Sequence, residues 1–223
     1  MNVLMTAGKG GTGKSMILAH LLRRRVLTYL PGPILVVDAD PHQSLTRLLG
    51  IRPRATLGEL RHRHNLSLRR GVGLEALSRR DFAAALAHQA VQPLNEHADL
   101  LVMGRNDQQG CQCVVNNILG GTLDALADEY TWVVMDNEAG VEHIGRHTWP
   151  VEVLFLVSSP KPLDLDVAGK ILRQAQDTGR EIRTTWLILN RHKGQRVTGH
   201  RLPAPLLGTL PYSEALDTLD APD

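Results

Sequence analysis

Residues Gly8-Lys9-Gly10-Gly11-Thr12-Gly13-Lys14-Ser15 fill the pattern G-x-x-x-x-G-K-[ST], and no other stretch narrows the fold as far. The apolar run Val3-Leu4-Met5 precedes them. A helical pattern from Met16 to Arg25 follows, with Ile17, Leu18, Leu21 and Leu22 at helical spacing. The octapeptide therefore lies between a strand and a helix N-terminus. Glycines let the backbone close around an anion. The loop amides and the positive end of the helix dipole then face that anion. Lys14 is expected to neutralise β- and γ-phosphates, and the Ser15 hydroxyl to hold Mg²⁺.

The same punctuation recurs along the chain. Ile34-Leu35-Val36-Val37 is continuously apolar, as in a strand buried on both faces, and ends in Asp38 and Asp40 before Pro41. Leu100-Leu101-Val102-Met103 is a second such run. Trp132-Val133-Val134-Met135 ends in Asp136, Val153 to Val157 ends in Ser158-Ser159-Pro160, and Thr185 to Leu189 ends in Asn190-Arg191. Leu206 to Tyr212 reads as a last strand and its loop. Helical patterns are expected over 45–49, 82–91, 114–127 and 164–176. Strands alternating with helices predict an α/β fold: a doubly wound, mostly parallel sheet flanked by helices, in a single domain spanning 1–223. Residues 52–98, apart from the helix at 82–91, read as a basic insertion, loop-like or short strand.

Polar groups at the carboxyl ends of parallel strands face the ligand crevice. Asp38 and Asp40 have the same parity and would share a face if the strand continued. The other reading is that one of them caps the helix beginning near Gln43-Ser44. Asn190 likewise reads either as a ligand contact or as a turn residue.

Composition excludes several classes. The formal net charge of +2 gives no bulk argument for nucleic acid. Arginines cluster at 23–25 and at 61–80, with His62 and His64 among the latter; a solvated face accounts for them better than a partner-binding patch. No apolar run approaches the roughly 20 residues that span a bilayer. Leu216 to Asp223 is too short and acidic for a membrane-surface helix. The chain enters a strand pattern at once, without a signal segment, so no membrane and a cytoplasmic setting are expected.

Both cysteines of the chain fall in Gly110-Cys111-Gln112-Cys113. Two thiols are no disulfide framework, and they suit a reducing compartment. They can chelate one metal ion but supply only half a tetrahedral shell. A two-fold dimer would complete it, with Cys111 and Cys113 of each subunit around a shared Ni²⁺ or Zn²⁺. Two small buried thiols and a strained redox pair are the other readings.

Lys9-Gly10-Gly11-Thr12-Gly13-Lys14-Ser15 resembles the deviant Walker A motif of the family that contains MinD, ParA and the nitrogenase iron protein. The resemblance implies an ATPase that binds ATP or ADP with Mg²⁺ through residues Lys9 to Met16. It implies that Lys9 reaches the phosphates of a partner subunit across a nucleotide-sandwich homodimer, in the manner of an arginine finger. Asp40 would orient the attacking water, and Asp38 would sit near the Mg²⁺ shell. Asp136 would take the Walker B place. Gly140 stands at the switch II spacing, where a backbone amide swings onto the γ-phosphate. Asn190, Arg191, Pro211 and Tyr212 would lie around the adenine.

Asp136-Asn137-Glu138-Ala139-Gly140-Val141-Glu142-His143-Ile144-Gly145-Arg146, with Met103-Gly104-Arg105 and the Cys-x-Cys pair, narrows the likeness. The chain looks like the CooC-type accessory ATPases of nickel insertion into carbon monoxide dehydrogenase, collinear from Met1 to about Leu219. That implies carbon monoxide dehydrogenase as the client. Glu142, His143 and Arg146 receive no role from spacing. Met16, Asn137 and Val114-Val115 depart from the usual residues, which are threonine, a hydrophobic residue and Pro-Glu. A MinD- or ParA-like switch acting by partner binding is the rival expectation. A reductase like the nitrogenase iron protein would need two separated cysteines.

Overall fold

The computed structural model describes residues 1–24, 29–69, 79–105, 113–138, 149–194 and 201–214. In chain order the elements are β1 (Asn2–Ala7), α1 (Lys14–Arg23), β2 (Ile34–Asp38), α2 (Ser44–Leu49), α3 (Leu57–Arg69), α4 (Arg79–Ala90) and β3 (Gln92–Pro93). They continue with β4 (Ala98–Val102), α5 (Cys113–Ala125), β5 (Trp132–Asp136), β6 (Val151–Ser158), α6 (Pro162–Asp177), β7 (Ile182–His192) and β8 (Leu206–Pro211).

The sheet has eight strands in the order β3-β4-β2-β5-β1-β6-β7-β8. All neighbours run parallel except β3, which is antiparallel to β4. The doubly wound, mostly parallel expectation is met. β2 is buried along its whole length, as its unbroken apolar run requires of a central strand.

Side-chain alternation divides the core between two faces. Leu4, Val36, Leu100 and Val134 pack with Leu18 and Ala19 of α1 and Leu45 of α2. Met5, Val37, Leu101, Met135 and Leu154 point the other way. They meet Leu57 of α3, Leu86 of α4, Leu123 of α5 and Ala168 of α6. Each fully buried leucine contributes about 1.5–3 kcal/mol by its removal from water, so helices on both faces stabilise the sheet. The buried core is mainly aliphatic.

Residues 57–69 correct the expectation of a loop or short strand. They form α3. Thr56 and Glu59 close a reciprocal cap: the Thr56 amide donates to Glu59 Oε2 at 3.0 Å, and the Glu59 amide donates to Thr56 Oγ1 at 3.2 Å. Leu57 and Leu60 then sit one turn apart on the buried side. His64, another turn on, stacks on Phe82 of α4 with ring centroids 4.5 Å apart. The density of Arg and His hides this amphipathic stripe from a reading by apolar runs.

Candidate functional site

The site is built at the carboxyl ends of β1, β2 and β5, where α1 begins. Gly13 is the N-cap of α1 with φ 92°, a left-handed conformation that glycine adopts without strain. It also leaves no room for a side chain, because a Cβ there would strike the Asn190 side-chain amide. That amide donates to the Thr12 carbonyl at 2.9 Å. The Asn190 oxygen accepts from the Arg191 amide at 2.9 Å. The Nδ2 end of Asn190 fastens β7 to the loop, while its oxygen end is held within β7 by the Arg191 amide. Thr12 tightens the turn from within, its hydroxyl donating to the Lys9 carbonyl at 2.8 Å.

Lys14 is 7% exposed, and its ammonium donates to the Lys9 carbonyl at 3.3 Å. Burial lowers its pKa, against the raising influence of Asp136, Asp40 and Glu138. A cation held this far from water with one long hydrogen bond among the described residues is a ready receptor for an anion. The two amino groups of the loop diverge. Lys9 Nζ does not lie with Lys14 but 2.8 Å from Asp164 Oδ1, in the first turn of α6.

The two strand-end carboxylates differ in what they touch. Asp38 Oδ2 accepts from the Thr46 amide at 2.9 Å and the Thr46 hydroxyl at 2.7 Å, and Oδ1 accepts from the Asp40 amide at 3.2 Å. Burial raises its pKa to about 6, although the Thr46 bonds favour the charged form. Asp136 is fully buried; Oδ1 accepts from the Thr6 hydroxyl at 3.2 Å. Among the described residues its Oδ2 accepts no hydrogen bond. Burial raises its pKa to about 7; Ser15 opposes the rise without closing a hydrogen bond on Oδ2, Asp38 adds to it, and Lys14 and Thr6 oppose it. An orphaned carboxylate oxygen beside a loop serine is the donor set a divalent cation uses. The residues present fit Mg²⁺.

Asp40 stands in the turn after β2. Its Oδ1 accepts from the His42 amide at 2.9 Å, and its Oδ2 accepts from the Ser44 hydroxyl. Beyond it, His42 Nδ1 lies 2.7 Å from Arg105 Nη2, so the turn is tied to the segment after β4.

Pro211 pairs with His192 at the end of β8, and the Tyr212 amide donates to the His192 carbonyl at 3.0 Å. Lys193 Nζ lies 3.8 Å from the Tyr212 ring centroid. Asn190, Arg191, Pro211 and Tyr212 are thus brought together, and Asn190 joins them to the loop. Gly10, Gly11, Ser15 and Met16 belong to the same strand–loop–helix unit.

A loop of this geometry, with a buried lysine and two buried strand-end carboxylates, is the hallmark of a nucleotide-binding domain. Residues 3–222 match the CobQ/CobB/MinD/ParA nucleotide binding domain family. The chain belongs to that family. An uncharacterized ATP-binding protein of Methanocaldococcus jannaschii is 30% identical over 224 residues, covering 98% of this chain and 87% of its own. The carbon monoxide dehydrogenase accessory protein CooC of Rhodospirillum rubrum is 30% identical over 239 residues, covering 99% of this chain and 87% of its own. Among solved structures, the septum site-determining protein MinD complexed with Mg-ADP from Pyrococcus horikoshii OT3 is similar with a TM-score of 0.59. Its sequence identity is 20%, over 98% of this chain and 85% of that one, so the likeness is one of fold.

Cys111 and Gly140 lie outside the described residues, as does the side chain of Cys113 at the start of α5. Among the described residues no cluster of three or more His, Cys, Asp or Glu is placed to hold a metal ion. Among the same residues no helix is long and apolar enough to cross a membrane. Members of the site missed in sequence include Thr6, Thr46 and Asp164. Thr46 holds Asp38, and its signal is only an ordinary helix-start threonine. Asp164 holds Lys9, and no local pattern marks it.

Proposed function

We propose that this family member hydrolyses ATP, dimerises around nucleotide and metal, and serves nickel insertion into carbon monoxide dehydrogenase. The observation that carries the ATPase reading is the buried Lys14 beside the orphaned oxygen of Asp136. The nickel reading is supported by the Cys111-x-Cys113 pair and by the 30% identity to CooC. A reducing cytoplasm suits both.

In this reading Lys14 binds the β- and γ-phosphates, and the amides of Gly10 to Ser15 wrap them. Ser15 and Asp136 hold Mg²⁺. When bound, that ion supplies charge neutralisation on the phosphate oxygens. Asp40 orients the attacking water; each of its oxygens keeps a lone pair after the bonds to His42 and Ser44. Asp38 holds the turn that carries Asp40, since both its oxygens already serve that turn. Lys9 of each subunit reaches the phosphates of the other. Gly140 carries the nucleotide state to the segment that follows. Asn190 with Arg191, Pro211 and Tyr212 forms the base side. Cys111 and Cys113 of two subunits carry the metal ion to the client.

The test is reconstitution. Purified chain, Mg-ATP, Ni²⁺ and nickel-free carbon monoxide dehydrogenase are mixed, and hydrolysis and client activity are followed together. Client activation that needs both ATP and this chain is expected. Hydrolysis with no effect on the client would instead favour a nucleotide switch that acts by binding another partner.

A further inference from the structure

The Lys9 ammonium is already occupied in the single chain. Its partner Asp164 is set in place from several sides. Lys9 donates to Oδ1 at 2.8 Å, and the Ser159 hydroxyl donates to Oδ2 at 2.6 Å. Ser159 is itself fixed, because its oxygen accepts from the Lys161 amide at 3.3 Å. Asp164 lies in the first turn of a 16-residue helix, where the dipole favours a negative charge. Burial raises its pKa, but the bonds from Lys9 and Ser159 outweigh that and hold it below the usual carboxylate range. The carboxylate is therefore charged and preorganised at neutral pH.

The lysine, by contrast, is free to leave. Its side chain is 46% exposed, against 13% for Asp164. Its backbone stays at the phosphate cradle, where the Lys9 carbonyl accepts from Thr12 and Lys14. Asp164 engages only the side chain, so the ammonium can leave α6 without moving the Lys9 carbonyl from the cradle.

We propose that Asp164 is an internal competitor for Lys9, which holds it against α6 until a second copy of the chain brings a nucleotide phosphate within reach. The proposal rests on the reading of Lys9 as a trans-acting charge. A half-exposed ion pair is weak, so a multiply charged phosphate displaces it. The pair then tunes the concentration at which two chains assemble without blocking assembly.

The experiment compares Asp164→Asn and Asp164→Ala with wild type, each also in a Lys9→Ala background. Sedimentation equilibrium with a slowly hydrolysed ATP analogue gives the dimer dissociation constant. Nucleotide titration at concentrations where the chain is monomeric gives the affinity of the single subunit, and circular dichroism confirms folding. Removing the competitor is expected to tighten the dimer about two- to fivefold, leave monomer affinity unchanged, and have no effect once Lys9 is alanine. Equal or weaker dimerisation of both Asp164 variants overturns the competitor while leaving the trans role of Lys9 intact. A gain that persists in the Lys9→Ala background also overturns it. If Lys9→Ala alone dimerises like wild type, the trans role fails, and the competitor with it.

Discussion

Asp38 and Asp136 are Cα partners across β2 and β5, two fully buried carboxylates side by side at the mouth of the phosphate loop. They are not equivalent. Asp38 is satisfied by Thr46 and the Asp40 amide, whereas Asp136 keeps an oxygen with no hydrogen bond among the described residues. Burial holds each above the usual carboxylate range, at about 6 and about 7, and the charge of Asp38 adds to the rise at Asp136. Without a cation the pair is a strained feature of the fold.

The pH dependence follows from that strain. Asp136 moves from 3.8 to about 7 on folding, so between those values the folded chain binds more protons than the unfolded one. Stability from this group is full below pH ~4 and is lost as pH rises through ~7. Three units correspond to about 4 kcal/mol. Asp136→Asn is therefore expected to match wild type near pH 4 and to exceed it by up to about 4 kcal/mol at pH 8, without nucleotide and with chelator present. Denaturant melts across that range check it. A constant difference between the two proteins would show that Asp136 is not protonated in the folded state.

The two loop lysines should separate. Lys14→Ala should abolish nucleotide binding to the single chain, because the buried ammonium is the charge nearest the cradle. Lys9→Ala should retain that binding and lose hydrolysis and ATP-driven dimerisation. Equilibrium titration below the dimerisation range, followed by a phosphate-release assay, measures both. Equal loss of monomer binding in the two variants would assign both lysines to the same cradle.

Asp40 and Ser44 give a matched pair. Positioning water by a side chain is worth ~10²–10⁴-fold, and Asp40→Asn should lose hydrolysis in that range at near-normal ATP affinity. Ser44→Ala removes only a hydrogen bond to Asp40, and its effect should be a few-fold. If the two variants slow hydrolysis alike, Asp40 shapes the turn rather than the water.

What the residues revealed in advance depended on how local the cause was. The loop, the apolar strands and their terminal acids are set by short patterns, and they appear where expected. The helix at 57–69 was equally local but was announced by its cap, Thr56 with Glu59, rather than by apolar density. The division of labour between Asp38 and Asp40 was not readable, since shared parity says nothing about which carboxylate the α2 turn will engage. Asn190 touching Thr12 and Lys9 touching Asp164 lie 178 and 155 residues apart in the chain. Only the strand order β5-β1-β6-β7 brings such groups together.

The cap itself is testable. Thr56→Ala removes the acceptor for the Glu59 amide and frees one α3 donor. A loss of about 1 kcal/mol is expected, or roughly 2–4 °C in Tm for a chain of this size. Differential scanning calorimetry reads it. ATP hydrolysis at 25 °C should be unchanged, because α3 packs on the face of the sheet away from α1.

The cysteines decide between a metal-carrying dimer and a simple nucleotide switch. Two thiolates per chain cannot close a four-coordinate shell. The expected stoichiometry is therefore one Ni²⁺ or Zn²⁺ per two chains, with a loaded dimer that persists without ATP. The thiols must ionise to bind, so loading should release protons and weaken as pH falls. Cys111→Ser or Cys113→Ser should lose the metal and the ATP-independent dimer. Both should keep nucleotide binding, because the phosphate loop lies in a separate stretch of the chain. Titration with either ion, with mass followed by light scattering, gives stoichiometry and assembly together. Saturation at one ion per chain without dimerisation, or wild-type affinity in the double serine variant, would return Cys111 and Cys113 to the role of small thiols and leave the chain an ATPase of the family without a metal cargo.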